Sequence, residues 1–269
     1  MVSMMSEPPQ AMFEAACDAG CARSRLSPGQ QLVMATLGGA LFAFGGLLAI
    51  VAAHGSGNLS RANPGLAALL FGAVFAVGAV LAILAGGHLF PDNCGLAAPA
   101  LLVGAIRPKE LLRNWVLVYA GNFVGSVFVA LFLAYWTGIA NLNAGGLGEI
   151  VGAAAAKMAE GKISLGWGPA FLRGLGCGWL VCLAAWLAIA SGDIGGRILA
   201  VWLPVMAFAA LGFEHSTANM FFIPLGMLNG ANVTFGDFLL SNLLPATLGN
   251  VVGGAGFVGL VYWWHYGRD

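Results

Sequence analysis

"GFEHSTANMFFIPLG", residues 212–226, places an adjacent glutamate and histidine inside a run of otherwise largely apolar residues. Of the 269 residues in the chain, 59% are hydrophobic and 8% are charged, whereas soluble domains carry about 25% charged residues. This composition indicates an integral membrane protein. Because ionisable side chains are costly at membrane depth, Glu214 and His215 are candidates for a functional site.

Six long apolar runs are candidates for membrane-spanning helices, since about 20 apolar residues cross the hydrocarbon core of a bilayer. Because the number of spans is even, both termini lie on the same side of the membrane, and seven of the eleven Lys and Arg residues fall on that side. The positive-inside rule therefore predicts cytoplasmic N- and C-termini. We therefore predict a cytoplasmic segment over residues 1–30 and a single transmembrane domain over residues 31–265. The six runs cover residues 32–53, 66–87 with a continuation to 106, 115–137, 168–190, 198–213 with a continuation to 230, and 244–264.

The chain also contains an internal repeat. "YAGNFVGSVFVALFLAYW" (119–136) and "TLGNVVGGAGFVGLVYWW" (247–264) share Gly-Asn-x-Val-Gly at the front and Tyr-Trp at the back. The repeat predicts two halves of three spans, residues 31–138 and 166–265, and because three is odd the halves enter the membrane in opposite senses. Asn122 and Asn250, at matching positions, are expected to form hydrogen bonds between helices.

Two polar breaks interrupt the second and fifth runs. "GGHLFPDN" (86–93) and "FEHSTAN" (213–219) each contain a histidine followed by an asparagine. Irregular backbone at membrane depth is tolerated only where it is buried in protein or lines a cavity, and the exposed N-terminal end of a half-helix attracts anions. The breaks therefore predict a path for ions. Two alternatives remain open: His215 as a hydrogen-bonded core side chain, and Glu214 as an acceptor that only holds the break in place.

Other classes of function have little support in the sequence. The formal net charge is zero, which gives no indication of a nucleic-acid partner. The chain lacks the paired carboxylates, His-x-x-x-His pair or Ser-Lys couple of an intramembrane enzyme, and it lacks a phosphate-binding glycine loop. The five cysteines have no metal-binding spacing. We predict that the protein is not an enzyme and that it has no cofactor, metal ion or nucleic-acid partner.

The stretch 212–226, followed by "LLPATLGNVVGGAGFVG" (243–259) and preceded by "NWVLVYAGNFVGSVFVA" (114–130) and "GWLVCLAAWLAI" (178–189), resembles the formate/nitrite transporter family. The resemblance covers about residues 30–264. It implies an all-α, aquaporin-like protomer of six helices in two inverted repeats, with broken second and fifth helices. It also implies a homopentamer in the inner (plasma) membrane, with one channel per protomer for small monovalent weak-acid anions such as formate or nitrite.

The resemblance also implies a pathway through the protomer. His215 would lie at the centre of the pore, where it can share or lend a proton so that a weak acid crosses as a neutral species. Lys162 would attract the ion in a vestibule. The candidate pathway residues are Leu89, Phe90, Phe213 and Phe221 at apolar constrictions, Asn93, Thr217 and Asn219 as neutral hydrogen-bonding groups, and His88, Asp92, Lys162, Glu214 and His215 as ionisable groups.

One motif departs from the family pattern. Where the family usually reads "ELFTGN", this chain reads "HLFPDN" (88–93), so that His88, Pro91 and Asp92 replace a glutamate, a threonine and a small residue. Proline removes a hydroxyl group and stiffens the segment. Asp92 would repel an anion unless it is paired or protonated, and His88 is a candidate partner. The alternative function is therefore a related channel for another small solute, hydrosulfide or ammonium.

Overall fold

The computed structural model describes residues 8–55 and 58–268, and within these ranges the chain is helical and contains no β-strand. The predicted all-α fold is confirmed. Residues 1–7 of the predicted cytoplasmic segment lie outside the described residues. The helices are α1 (Pro9–Arg25), α2 (Pro28–His54), α3 (Leu59–Ala62), α4 (Pro64–Leu84), α5 (Phe90–Leu102), α6 (Pro108–Tyr135), α7 (Gly146–Ile163), α8 (Trp167–Ala190), α9 (Ile194–Ala210), α10 (Ser216–Leu228) and α11 (Phe235–Tyr266).

The helices follow the apolar runs of the sequence. Among the described residues, α2, α4, α6, α8 and α11 are long and apolar enough to cross a membrane. The second run is divided between α4 and α5, and the fifth between the shorter helices α9 and α10. The predicted breaks are therefore present, at residues 85–89 and 211–215. The count of six crossings and the opposite sense of the two halves stay predictions.

Proline and capping side chains begin two of the membrane helices. Pro28 is the first residue of α2, after a capping box in which Ser27 Oγ accepts the Gln30 N–H and Gln30 Oε1 accepts the Ser27 N–H. At the start of α4, Asn63 Oδ1 accepts the Leu66 N–H at 3.0 Å. The first amides of a helix have no partner within it, so a side-chain acceptor or a proline there satisfies or removes a free donor.

Glycines let α2 pack directly on the backbones of its neighbours. A Cβ atom added to Gly45 would lie 2.7 Å from the Cα of Gly78 on α4, and one added to Gly39 would lie 2.7 Å from the Cα of Asn122 on α6. Lipid provides no hydrophobic drive for helix association, so close backbone approach through small residues is the usual source of packing energy. These contacts fix where Asn122 meets the first break.

The two halves repeat the same helix contact. A Cβ atom at Gly121 of α6 would meet the carbonyl oxygen of Leu32, and one at Gly249 of α11 would meet that of Phe171. Leu32 and Phe171 each lie in the second turn of their helices, α2 and α8. The Gly-Asn pairs of the two halves therefore pack against equivalent positions, which supports the internal repeat.

Two further helices precede the two halves and are absent from the count of apolar runs. α1 packs on α5 ahead of the first half, and α7 packs on α10 ahead of the second. Each has a basic side chain in its last turn, Arg23 in α1 and Lys162 in α7. Cations are stabilised near helix C-termini, and this placement brings one positive charge close to each break.

Candidate functional site

The break at residues 85–89 is held by Asn122 of α6. Asn122 Nδ2 donates to the carbonyl oxygens of His88 at 2.7 Å and Ala35 at 2.8 Å, and Asn122 Oδ1 accepts the N–H of Phe90 at 2.8 Å. Unpaired backbone groups cost several kcal/mol in hydrocarbon. One asparagine thus satisfies the backbone groups on both sides of the break.

Asn250 of α11 holds the break at residues 211–215 in the same way. Its Nδ2 donates to the carbonyl oxygens of Glu214 at 2.9 Å and Gly174 at 2.8 Å, and its Oδ1 accepts the Ser216 N–H at 2.9 Å. The expected role of the two repeated asparagines in helix-to-helix hydrogen bonding agrees with these contacts.

The matching bonds define which residues correspond between the breaks. His88 corresponds to Glu214, because the carbonyl oxygen of each accepts a hydrogen bond from the asparagine Nδ2, and Leu89 corresponds to His215, because each is the N-cap of the following helix. An alignment of the two histidines is therefore shifted by one residue. The position that holds an imidazole in one half holds an apolar side chain in the other.

A cavity of about 370 Å³ leads to the second break, and we call it the Lys162 cavity. Lys162, Phe213, Glu214 and His215, all predicted pathway residues, line it. Most of its remaining wall is apolar or aromatic, as in ligand sites that place a few polar groups in an apolar pocket. The structure thus brings together the basic, acidic and imidazole groups that the sequence placed far apart.

Glu214 is buried but fully satisfied. Its Oε1 accepts a hydrogen bond from Lys162 Nζ at 2.9 Å, and its Oε2 accepts from Asn219 Nδ2 at 2.7 Å and Asn242 Nδ2 at 3.0 Å. The side chain of Lys162 is 15% exposed and that of Glu214 is 2% exposed. The carboxylate therefore compensates the lysine charge at the wall of the cavity and ties α7, α10 and α11 together. All three donors to this carboxylate are side chains.

His215 lies at the inner end of this cavity and is the N-cap of α10. Its Nδ1 accepts the backbone N–H of Ala218 at 3.4 Å, and its ring packs against Phe42 with centroids 4.4 Å apart. In a neutral imidazole the acceptor nitrogen carries no hydrogen, so the ring proton is on Nε2. Nε2 is buried and has no partner among the described residues. The ring thus has one nitrogen engaged in the helix cap and one N–H free.

A second cavity of about 540 Å³ lies near the first break, and we call it the Arg23 cavity. Arg23 and Leu96 line it, together with Asp193 and Arg197. Arg23 Nη1 donates to Asn93 Oδ1 at 2.7 Å. Each break thus has a nearby cavity with a basic residue in its wall, and that residue belongs to the helix that precedes the same half of the protein, α1 or α7.

Asp92 lies in the first turn of α5 and is completely buried. Neither of its carboxyl oxygens has a hydrogen-bond partner among the described residues, and His88 Nδ1 has none either. The expected pairing of His88 with Asp92 is therefore not formed in the described part of the chain. Asp92 contrasts with Glu214, whose oxygens accept three side-chain hydrogen bonds.

The remaining predicted pathway residues are divided between the cavities and the packed interior. Phe213 lines the Lys162 cavity, whereas Phe221 is buried against Phe222. Phe90 packs edge-on against Tyr119, on the side of α5 that faces α6. Thr217 Oγ1 donates to Asn122 Oδ1 at 3.0 Å and so links the second break to the first.

Several residues of the site are not predicted from the sequence. Arg23 and Asn242 lie outside the quoted motifs and Asn114 is the first residue of one of them, yet Asn93 Nδ2 donates to Asn114 Oδ1 at 3.0 Å and Asn219 Nδ2 donates to Asn242 Oδ1 at 2.6 Å. Asn114 and Asn242 each lie eight residues before the Asn of the repeated Gly-Asn pair. Extending the repeat alignment towards the N-terminus would have found them.

The described fold and its cavities are those of an integral, multi-pass membrane protein with polar breaks at membrane depth, the class to which channels and transporters belong. The chain belongs to the formate/nitrite transporter family, because the family model described as "Formate/nitrite transporter" matches residues 10–264. Members of this family transport solutes, which confirms the prediction that the protein is not an enzyme.

Individual relatives agree over nearly the whole chain. A probable formate transporter of Methanothermobacter thermautotrophicus is 47% identical over 265 residues, covering 94% of this chain and 95% of the relative. A formate channel of Bacillus thuringiensis is 37% identical over 261 residues, covering 97% and 96%. A solved structure titled "FNT family ion channel" matches with a TM-score of 0.84 at 31% identity, over 95% of this chain and 98% of that one. A "pentameric formate channel with formate bound" matches with a TM-score of 0.75 at 30% identity, over 90% and 98%.

Proposed function

We propose that the protein is a channel for small monovalent anions of weak acids, such as formate or nitrite. The observation that carries the proposal is the free Nε2–H of His215 at the end of a cavity with Lys162 in its wall. A buried donor without a partner is costly, and an anion that passes through would supply the missing acceptor. The names of the formate-transporting relatives support this class of substrate.

The proposed passage of the anion follows from the order of Lys162, Glu214 and His215 along its path. Lys162 attracts an anion into the cavity, and Glu214 offsets part of the lysine charge so that the anion is not trapped. The electrostatic energy of such a contact is about 1–4 kcal/mol at 4 Å, depending on the local dielectric. Beyond the cavity a charged solute is least stable, and His215 stabilises it there by donating a hydrogen bond from its Nε2–H. A weak acid that gains a proton crosses this region as a neutral species, so passage is proton-linked.

The segment "HLFPDN", residues 88–93, is the proposed gate on the other side of His215. Asn122 and Arg23 bind its two ends through His88 and Asn93. Pro91 restricts the backbone in the first turn of α5. Opening of the Arg23 cavity towards His215 therefore requires movement of a short segment whose two ends are anchored.

For the assembly and orientation, we propose a homopentamer with one pore in each protomer, in the inner (plasma) membrane with both termini cytoplasmic. The pentameric neighbour supports the assembly, and exposed apolar side chains such as Leu112, Val116 and Leu240 give the protomer an outer surface suited to lipid or to neighbouring protomers. In this orientation the Arg23 cavity faces the cytoplasm.

Flux into proteoliposomes tests the proposed function. Vesicles with the purified protein should take up formate and nitrite faster than protein-free vesicles, and native mass spectrometry should give the mass of five protomers. Uptake that does not exceed the protein-free rate for either anion would contradict the proposed channel. A mass of one or three protomers would contradict the pentamer only.

A second candidate is a related channel for hydrosulfide or ammonium. The buried, unpartnered carboxyl group of Asp92 is the observation that favours it, since a carboxylate beside the path attracts a cation. Currents across a bilayer distinguish the candidates. A reversal potential that follows the ammonium gradient indicates the cation, and a reversal potential that follows the formate or nitrite gradient indicates the anion. Uptake of hydrosulfide alone would leave the anion class and change the substrate.

A further inference from the structure

Three ionisable side chains near the breaks are buried and have polar atoms without partners among the described residues. They are His215, with an unpartnered Nε2, and, in the first half, His88, with an unpartnered Nδ1, and Asp92, with two unpartnered carboxyl oxygens. His215 and Asp92 do not occupy equivalent positions. By N-cap position His215 corresponds to Leu89, and Asp92, three residues after the N-cap of α5, corresponds to Ala218 of α10. The first half thus holds an unpartnered carboxyl group where the second half has an alanine.

The hydrogen bond at Nδ1 restricts what His215 can do with a proton. A neutral ring whose Nδ1 accepts the Ala218 N–H already carries its hydrogen on Nε2. A second proton would have to bind Nδ1, where it would face the Ala218 N–H and remove the cap of α10. While it caps the helix, His215 is therefore a hydrogen-bond donor to a permeating ion and has no free site for a further proton.

The position of Asp92 on α5 relates it to the Arg23 cavity. It lies one turn before Leu96, so the two side chains share a face of the helix, and Leu96 lines the Arg23 cavity. The counterpart of Asp92 in the other half, Ala218, lines the Lys162 cavity. Asp92 itself is fully buried and does not line the Arg23 cavity, so exchange of a proton with that cavity requires movement of the proposed gate, residues 88–93.

No side chain in the described part of the chain donates a hydrogen bond to the carboxyl oxygens of Asp92. Arg23 on α1 binds Asn93, and Cys182 on α8 donates to the Pro91 carbonyl at 3.1 Å. Tyr119 on α6 is hydrogen-bonded to Thr247, and α11 presents Gly254. Other titratable groups near α5 include His88, Cys94, Cys177 and His215, Cys21 of α1, which packs against Ala97 and Ala100, and Asp193 and Arg197, which line the Arg23 cavity with Leu96. A buried carboxylate without donors is far costlier than a neutral carboxyl group, so the site favours a carboxyl group that holds a proton.

We propose that Asp92 is the group that exchanges the proton which accompanies the anion, and that His215 acts as a neutral hydrogen-bond donor. This inference rests on the proposed function. An anion entering from the Arg23 cavity accepts the Asp92 proton: the carboxyl O–H bond breaks, an O–H bond forms on the anion, and the Asp92 carboxylate remains. The neutral acid passes His215 and loses its proton to water in the Lys162 cavity. Asp92 regains a proton from water on its own side, so one anion and one proton cross together.

Side-specific pH dependence of formate uptake tests this assignment. Right-side-out and everted membrane vesicles from the same expressing cells expose opposite faces, and the pH of each exposed face is varied separately. A step that needs one proton changes in rate by up to about tenfold per pH unit. In the variant Asp92→Asn, a change of one pH unit at one face should change the rate of formate uptake by less than about twofold. Asp92→Glu keeps a titratable group and should retain the dependence.

Two further variants complete the experiment. Asp18→Asn removes an exposed carboxylate from α1 and should keep the wild-type profile from both faces. His215→Asn should lower uptake while it keeps the shape of the pH profile. Size-exclusion chromatography checks assembly, and if Asp92→Asn does not assemble, Asp92→Ala, which copies the counterpart Ala218, takes its place.

The outcomes separate the inference from the proposed function. Absence of formate and nitrite uptake by the wild type would overturn the proposed function. Wild-type uptake together with an unchanged pH profile for Asp92→Asn would overturn this inference alone. Loss of the pH dependence in His215→Asn, with the dependence kept in Asp92→Asn, would also overturn it, because the proton would then be exchanged at the histidine.

Discussion

The two breaks have the same backbone architecture and opposite chemistry. In each, one asparagine of the neighbouring helix binds the carbonyl before the break and the amide after it. At residues 211–215 the carboxylate of Glu214 is satisfied by three side chains, and the break is open to a cavity. At residues 85–89 the corresponding residue is His88, and the nearby Asp92 has no hydrogen-bond donor among the described residues. The two halves thus share the asparagine that holds each break, whereas their ionisable groups differ.

The contact that steadies the helix after each break also differs between the halves. Cys182 of α8 donates to the Pro91 carbonyl, whereas Ser126 of α6 donates to the Thr217 carbonyl at 3.4 Å. Gly254 of α11 makes room for the cysteine, since a Cβ atom there would lie 2.6 Å from its Sγ. Equivalent carbonyl groups are therefore satisfied from different helices, so the two short helices need not move together.

Replacing the shared asparagine should have the largest effect. Asn122→Leu or Asn250→Leu leaves the carbonyl group before the break and the amide after it without the asparagine partner, at about 1–3 kcal/mol each, whereas the carbonyl groups of Ala35 and Gly174 keep the hydrogen bonds of their own helices. We expect either variant to lose its assembled state on heating at least about 10 °C below the wild type, or not to assemble. Thermal melting followed by size-exclusion chromatography measures this, with Asn143→Leu at an exposed position as the control. Normal melting of one asparagine variant would show that the two breaks do not share a scaffold.

The charge pair at the second break should have the next largest effect. Lys162→Gln leaves the Glu214 carboxylate uncompensated beside the cavity, and a repulsion of about 1–4 kcal/mol lowers anion flux about tenfold or more. Glu214→Gln removes the repulsive partner and should reduce flux less. Initial rates of formate uptake at low ionic strength compare the two variants, and Lys109→Gln on an exposed site serves as the control. A larger loss for Glu214→Gln would refute this role of the ion pair.

Removal of the hydrogen bonds to the Pro91 and Thr217 carbonyl groups should have the smallest effect on stability. Cys182→Ala and Ser126→Ala each remove one hydrogen bond to a carbonyl, worth about 0.5–1.5 kcal/mol. We expect a modest decrease in melting temperature for both, and Cys182→Ser should restore most of the loss at the first break. Equal effects of Cys182→Ser and Cys182→Ala would show that the thiol contributes by volume and not by its bond to Pro91.

Hydrophobicity and repeats predict the framework of this protein better than its polar contacts. Six apolar runs and two polar breaks follow from the cost of placing charge and free backbone in lipid. The helices follow these runs and the breaks are present, and five of the described helices are long and apolar enough to cross a membrane. Arg23 could not be assigned in this way, because a side chain in a helix reaches the break only through the packing of other helices, whereas Asn242 required the repeat alignment to be extended towards the N-terminus. Residue type likewise does not determine which residues correspond between the breaks: by N-cap position, His215 corresponds to Leu89 and not to His88.

Uptake of formate by the variant His215→Asn tests the central claim most directly, because asparagine is a good N-cap and removes the Nε2–H without removing the cap acceptor. The matched control is His265→Asn, at an exposed position near the end of α11. We predict that proteoliposomes with His215→Asn take up formate at least about tenfold more slowly than the wild type, as expected for the loss of about 1.4 kcal/mol at the barrier. The control should match the wild type. Uptake by His215→Asn at the wild-type rate would contradict the account, since the free N–H would then have no part in the passage of the anion.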